Sequence, residues 1–190
     1  MKRLLCIMNA MDAGGAESFL MKIYRAIDKT QYQFDFCVTV SEPAFYDEEI
    51  KRLGGKIHRI TQKTKSLRRF RKDLYAVIRN NHYEHVLRIS ANCMGFMDLK
   101  LAKQAGAKVC VARSSNSDSG SSFLSKIMHR MGRVLYGRYV DVKIAPSDLA
   151  AIYTFGLSAY KQNQVIILNN AIDLDAPSPK SSSHLLRRPI

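Results

Sequence analysis

Seven short runs of apolar and β-branched residues recur along this chain, each followed by a longer segment of helical spacing. That alternation is the pattern of a parallel sheet covered by crossover helices. The runs fall at residues 4–8, 34–40, 56–60, 85–90, 108–112, 142–145 and 165–168. Between them Phe19, Ile23 and Ile27 fall on one helical face, as do Leu67, Phe70, Leu74 and Val77, and then Leu124, Ile127, Met131 and Leu135. These stripes predict helices whose apolar sides are buried in a core. The expectation is one α/β domain over residues 1–172, a Rossmann-like parallel sheet with helices on both faces.

Composition agrees with a folded core. Of the 190 residues 46% are hydrophobic, which excludes a disordered or low-complexity chain. No apolar run approaches the roughly 18 residues that a spanning helix requires. Met1, Lys2 and Arg3 before an apolar stretch imitate a signal peptide, but Asn9 and Asp12 cut that stretch short, so it reads as the first strand. The cysteines Cys6, Cys37, Cys93 and Cys110 form no CxxC pair, and three of them lie in predicted strands as small hydrophobes. A reducing, cytoplasmic setting is expected. Gly54, Gly55 and Gly106 stand between helical patterns and strands, where left-handed caps are wanted. From Asp175 the periodicity ends in a stretch holding Pro177, Pro179, Pro189 and several serines, so residues 173–190 are expected to form a disordered tail.

The first strand runs into Asn9-Ala10-Met11-Asp12-Ala13-Gly14-Gly15-Ala16-Glu17-Ser18 before the helical face at Phe19. Glycines let a ligand approach the backbone, and the free N–H groups of a helix's first turn meet an anion, so a phosphate site at Gly14 and Gly15 is physically sensible. The same pair can also be no more than a tight turn, with Glu17 complementing the helix dipole.

Gly14-Gly15-Ala16-Glu17 before a Phe-Leu-Met helix occurs in order with Tyr46-Asp47-Glu48-Glu49-Ile50 and Leu53-Gly54-Gly55-Lys56-Ile57. Ala145-Pro146-Ser147-Asp148, Phe155-Gly156 and Ile167-Leu168-Asn169-Asn170-Ala171-Ile172-Asp173 follow. This ensemble resembles the N-terminal lobe of bacterial family 4 glycosyltransferases of the GT-B type, those that build capsular and exopolysaccharides. The resemblance implies transfer of a sugar from a nucleotide-sugar to a saccharide acceptor, lipid-linked by expectation, with no metal and no cofactor beyond the donor substrate. It implies Gly14 and Gly15 beside the donor diphosphate. Acceptor-side residues would come from the ends of the fourth and fifth strands: Ser90, Asn92, Arg113, Ser114, Ser115 and Asn116. No catalytic residue is assigned. Where many relatives carry histidines, this chain reads Leu87-Arg88-Ile89-Ser90 and Ala112-Arg113-Ser114-Ser115, and Arg113 is a fork of donors unable to act as a base at neutral pH. The family's donor-binding E-x7-E lobe is absent from the sequence, so a truncated enzyme or a separately encoded C-terminal lobe is expected. The competing class is a catalytically inactive solitary lobe that binds a membrane or a partner.

The chain carries 30 Lys and Arg against 16 Asp and Glu, a net charge of +14. Eleven of those bases fall within residues 51–79 against the single acid Asp73. Arg68, Arg69, Arg71 and Lys72 beside the Leu67-Phe70-Leu74-Val77 stripe predict docking on anionic lipid at the inner face of the cell membrane, with a second basic amphipathic segment at residues 122–138 extending the surface. A solvated charged helix is the plain alternative. No nucleic-acid motif accompanies the charge, so nucleic acid is not an expected partner. His82 and His85 flank a turn and share no face, so metal binding is not expected.

Overall fold

The computed structural model describes residues 1–115 and 122–170, and the predicted tail and Asn116 lie outside these. Its centre is a seven-stranded sheet, every neighbouring pair parallel, in the order β3-β2-β1-β4-β5-β6-β7. The strands are β1 (Lys2–Ile7), β2 (Tyr32–Val38), β3 (Ile57–Arg59), β4 (His85–Ser90), β5 (Val109–Ser114), β6 (Val142–Ala145) and β7 (Val165–Ile167). Each matches a predicted run. β2 begins and ends two residues earlier than its run, and β5 continues through Arg113 and Ser114 because Ile89 and Ser90 of β4 extend equally far to pair with them.

The helices are α1 (Gly15–Ala26), α2 (Asp47–Arg52), α3 (Leu67–Asn80), α4 (Met97–Ala105), α5 (Phe123–Tyr136), α6 (Asp148–Phe155) and α7 (Leu157–Lys161). Strand alternation divides the core in two. Cys6, Phe36, Leu87 and Ile89 meet Phe19, Leu20 and Tyr24 of α1 and Ile50 of α2 on one face. Leu5, Ile7, Val86, Cys110 and Ala112 meet Phe70, Leu74 and Ile78 of α3 and Leu99 of α4 on the other. Such double coverage is why the strands read as almost unbroken apolar runs. Local chemistry sets the helix ends. Ser66 caps α3 by accepting the Arg69 N–H at 3.2 Å, and Gly106 ends α4 with a φ of +109° that a side chain would resist.

The α5 stripe expected in the core is instead exposed. Leu124 is 67% accessible, Met131 48% and Leu135 49%. The helix is seated through His129 and Gly132 instead. A Cβ on Gly132 would stand 2.4 Å from the Met94 nitrogen and 2.5 Å from the Cys93 carbonyl carbon, so only glycine lets α5 approach the 3₁₀ turn Cys93–Phe96 this closely. That contact turns the apolar stripe outward.

Candidate functional site

In an open parallel sheet the strands' carboxyl ends meet where the order reverses, here between β1 and β4, and ligands bind in the crevice outside them. A cavity of about 320 Å³ lies there, on the α3 and α4 side of the sheet. Asn9 follows β1, Thr39 follows β2, Gln62, Lys63 and Thr64 follow β3, Arg88 comes from β4, and Asp98 from the first turn of α4.

The Asp98 carboxylate is fully buried. Lys63 Nζ lies 2.7 Å from its Oδ1 and 2.9 Å from its Oδ2, and 4.8 Å from the Phe70 ring centre. Arg88 Nη1 donates to the Ile7 carbonyl at 2.9 Å, while Nε lies 3.2 Å from Asp98 Oδ2 without the alignment of a hydrogen bond. Burial pushes the Lys63 ammonium below the ordinary lysine range; Asp98 opposes that shift and Arg88 adds to it. Thr39 Oγ1 donates to Asn9 Oδ1 at 2.7 Å, engaging the carbonyl end of that amide.

The glycine loop lies on the opposite face, at the start of α1. Gly14 has an ordinary φ of −83°, so turn geometry does not demand glycine there. A Cβ added to Gly15 would meet nothing within 4 Å. The backbone is thus bare toward open space. The Glu17 side chain folds back over Gly14, where a Cβ would stand 2.4 Å from its Oε2, and so complements the helix dipole.

Arg113 also belongs to the α1 face. It is buried, with its guanidinium 3.8 Å from the centre of the Phe19 ring, Nη2 donating to Asn170 Oδ1 at 2.5 Å and Nη1 to the Ser114 carbonyl at 3.4 Å. Burial holds its pKa below the usual arginine value. Three of the expected acceptor-side residues have side chains engaged within the protein itself. Ser90 Oγ donates to the Asn92 carbonyl at 2.7 Å, and Asn92 Oδ1 accepts the Met94 N–H at 2.9 Å, so both shape the turn after β4. Ser114 Oγ lies 2.7 Å from Thr154 Oγ1 and is fully buried, fixing α6 to the sheet. Ser115 is half-buried, and its N–H pairs with the Ser90 carbonyl at 3.2 Å. Among the described residues, none of those expected lines the cavity at the strand ends. Arg113 and the glycines lie on one face of the sheet, while the cavity opens on the other.

No sequence motif joins the cavity residues, although Arg88 carried a signal of its own. A charge inside Val86-Leu87-Arg88-Ile89 must find a partner if the sheet is covered on both sides. Lys63 and Asp98 carried none, because they are 35 residues apart. Asp47, in the first turn of α2, is buried and ion-paired with Arg59.

Cys93 Sγ lies 3.4 Å from His129 Nε2, the spacing of a nucleophile and its base, but the chemistry differs. The thiol donates to the Thr154 carbonyl at 3.2 Å, and burial pushes it up to about 12. His129 Nε2 donates to the Tyr153 carbonyl at 3.1 Å, and burial lowers its pKa. The pair is a neutral core contact. Among the described residues no group of three or more His, Cys, Asp or Glu is arranged to hold a metal, and no helix is long and apolar enough to cross a membrane.

This architecture recurs in solved structures. Anabaena Alr3699/HepE in complex with UDP and glucose matches with a TM-score of 0.59 at 16% identity, over 91% of this chain and 45% of that one. The chain has the fold of one GT-B lobe. A UDP-N-acetylglucosamine 2-epimerase matches equally well, with a TM-score of 0.59 at 12% identity over 89% of this chain and 48% of that one, so the fold alone does not select the reaction. In sequence the chain is 30% identical over 186 residues to the putative glycosyltransferase EpsF of Bacillus subtilis (strain 168), over 96% of this chain and 48% of EpsF. It thus spans about half the length of the curated relative it matches. No family model matches the chain.

Proposed function

We propose that this chain is the acceptor-side lobe of a glycosyltransferase that moves a sugar from a nucleotide-sugar to a lipid-linked saccharide in cell-surface polysaccharide synthesis. The likeness to EpsF over nearly the whole chain carries the reading, since the fold is shared with an epimerase. The bare backbone at Gly15 supports a donor diphosphate beside the first turn of α1. The polar cavity at the strand ends supports an acceptor pocket. Nucleotide recognition falls to a second lobe. The test is sugar transfer from a panel of nucleotide-sugars to lipid-linked saccharide, with this chain alone and with the C-terminal half of EpsF supplied. Product that requires both halves is the expected result. Failure to transfer, together with no nucleotide-sugar binding, would favour the solitary binding module instead.

A lipid-linked acceptor places the enzyme at the inner leaflet, and two surfaces of this lobe suit anionic lipid. Arg68, Arg69, Arg71 and Lys72 are exposed on α3, but the stripe beside them is not free to insert: Phe70, Leu74 and Ile78 are buried in the core. That helix contributes attraction only. The exposed stripe of α5 is flanked by Lys126, Arg130 and Arg133 with no carboxylate in the helix, so the inserting element moves there. Vesicle binding should require phosphatidylglycerol, weaken with salt, and fall with either R68S/R69S/R71S/K72S or L124D/V134D. Equal binding to phosphatidylcholine vesicles would rule out this mode of membrane attachment.

A further inference from the structure

We infer that the cavity at the carboxyl ends of β1 to β4 recognises its acceptor through an anionic group, a phosphate or a carboxylate borne by the sugar, which docks against Arg88 and Lys63. The inference rests on the acceptor reading above and adds to it the charge of the ligand. Two cations share one carboxylate in the wall, leaving a surplus positive charge in a partly enclosed site. Asp98 is completely buried, and the side chains of Lys63 and Arg88 are 32% and 16% accessible.

The hydrogen-bonding inventory points the same way. A pocket built for a neutral sugar offers carboxylate oxygens to hydroxyl protons, yet the cavity's one carboxylate already faces two cations. What remains is mainly donors. Arg88 places one bond on the Ile7 carbonyl and sets Nε beside Asp98 out of line, so its planar fork is incompletely used, and a guanidinium suits the geometry of phosphate and carboxylate. Asn9, Thr39, Gln62 and Thr64 stand around the cations and can take sugar hydroxyls. Asp98 is a positioning residue: it anchors Lys63 from the first turn of α4 and holds it next to Arg88.

The test is calorimetric titration of this chain with inorganic phosphate, glucose 1-phosphate, glucuronate and methyl glucoside. Glucose 1-phosphate and glucuronate are expected to bind about tenfold or more tighter than methyl glucoside, the scale of one charge-assisted contact. The preference should collapse to about twofold in R88Q and in K63Q, with thermal melts confirming that each variant is folded. A preference for glucose 1-phosphate over glucuronate identifies phosphate as the recognised group, and the reverse identifies a uronate-like carboxylate. Equal affinity for charged and neutral sugars, or a preference that survives both substitutions, overturns the inference. Inorganic phosphate binding as tightly as glucose 1-phosphate would keep the anion site and remove support from the sugar-acceptor reading, so the two fail separately. Should R88Q not fold, the Arg88 Nε–H resonance of the unmodified chain gives the same answer: it must shift on titration with glucose 1-phosphate and stay still with methyl glucoside.

Discussion

The Arg113 guanidinium lies over the Phe19 ring of α1, 3.8 Å from its centre, and has no carboxylate partner among the described residues. A buried cation without a counter-charge is expensive to desolvate, and an apolar side chain of similar length avoids that penalty. R113M should therefore keep its melting temperature or raise it, whereas R113A, which empties the space between β5 and α1, should lose about 2 kcal/mol. Thermal melts followed by circular dichroism distinguish the two. A large loss in R113M would mean that the stacking and the Asn170 bond outweigh desolvation.

Gly132 and Gly137 offer a matched pair. At Gly132 a methyl group would strike backbone at 2.4 Å, so G132A should destabilise by about 1–3 kcal/mol and loosen α5 from the turn beneath it. At Gly137 a Cβ meets nothing within 4 Å and φ is −58°, so G137A should be neutral or stabilise by up to about 1 kcal/mol. Urea unfolding compares them directly, and equal effects would refute the close seating of α5 on the Cys93–Phe96 turn.

Acid should weaken the fold through two histidines. Burial, the largest cause in each case, lowers the pKa of both His58 and His129. The unfolded chain then takes up protons more readily than the folded one, so the stability these groups contribute is complete above the ordinary histidine pKa of about 6.5 and is lost as pH falls below it. The urea midpoint should drop between pH 7.5 and 5.5. A midpoint that rises over that interval would contradict the neutral state of both rings, in which His58 Nε2 lies 2.8 Å from the Tyr83 hydroxyl and His129 Nε2 donates to the Tyr153 carbonyl.

All four cysteines are buried and unpaired, and burial raises the pKa of each, to about 12 for Cys37, Cys93 and Cys110. Since the thiolate is the reactive form, a disulfide reagent such as DTNB should label the native chain slowly and all four sites at once in urea. Fast labelling of one site before unfolding would place a thiol at the surface.

Strands were legible because each carries its own apolar run, and a sheet covered on both faces leaves that run uninterrupted, as at Leu4 to Met8. The orientation of α5 was not. Its stripe has the spacing of a buried face, and nothing local reveals that Gly132 and His129, one turn round the helix, win the contact with Cys93. The candidate site divided along the same line. Gly14 and Gly15 stand out as candidates because a glycine loop is contiguous, whereas Lys63, after β3, and Asp98, in α4, meet only in the folded chain. At Ser90, Asn92 and Ser114 the sequence does not separate roles, because a polar residue at a strand end serves a turn or a core contact as readily as a ligand.

Arg88 and Arg113 occupy adjacent strands one register step apart, since Arg88 pairs with Ala112 and Ile89 with Arg113. That single step sends their side chains through opposite faces of the sheet. The backbone between them acts as an insulating partition, so changing either arginine should leave the other's surroundings intact, and the two changes should combine additively. A chain organised in this way can retune what it binds on one side without disturbing the other, which makes the two arginines independent dials for natural variation or for engineering.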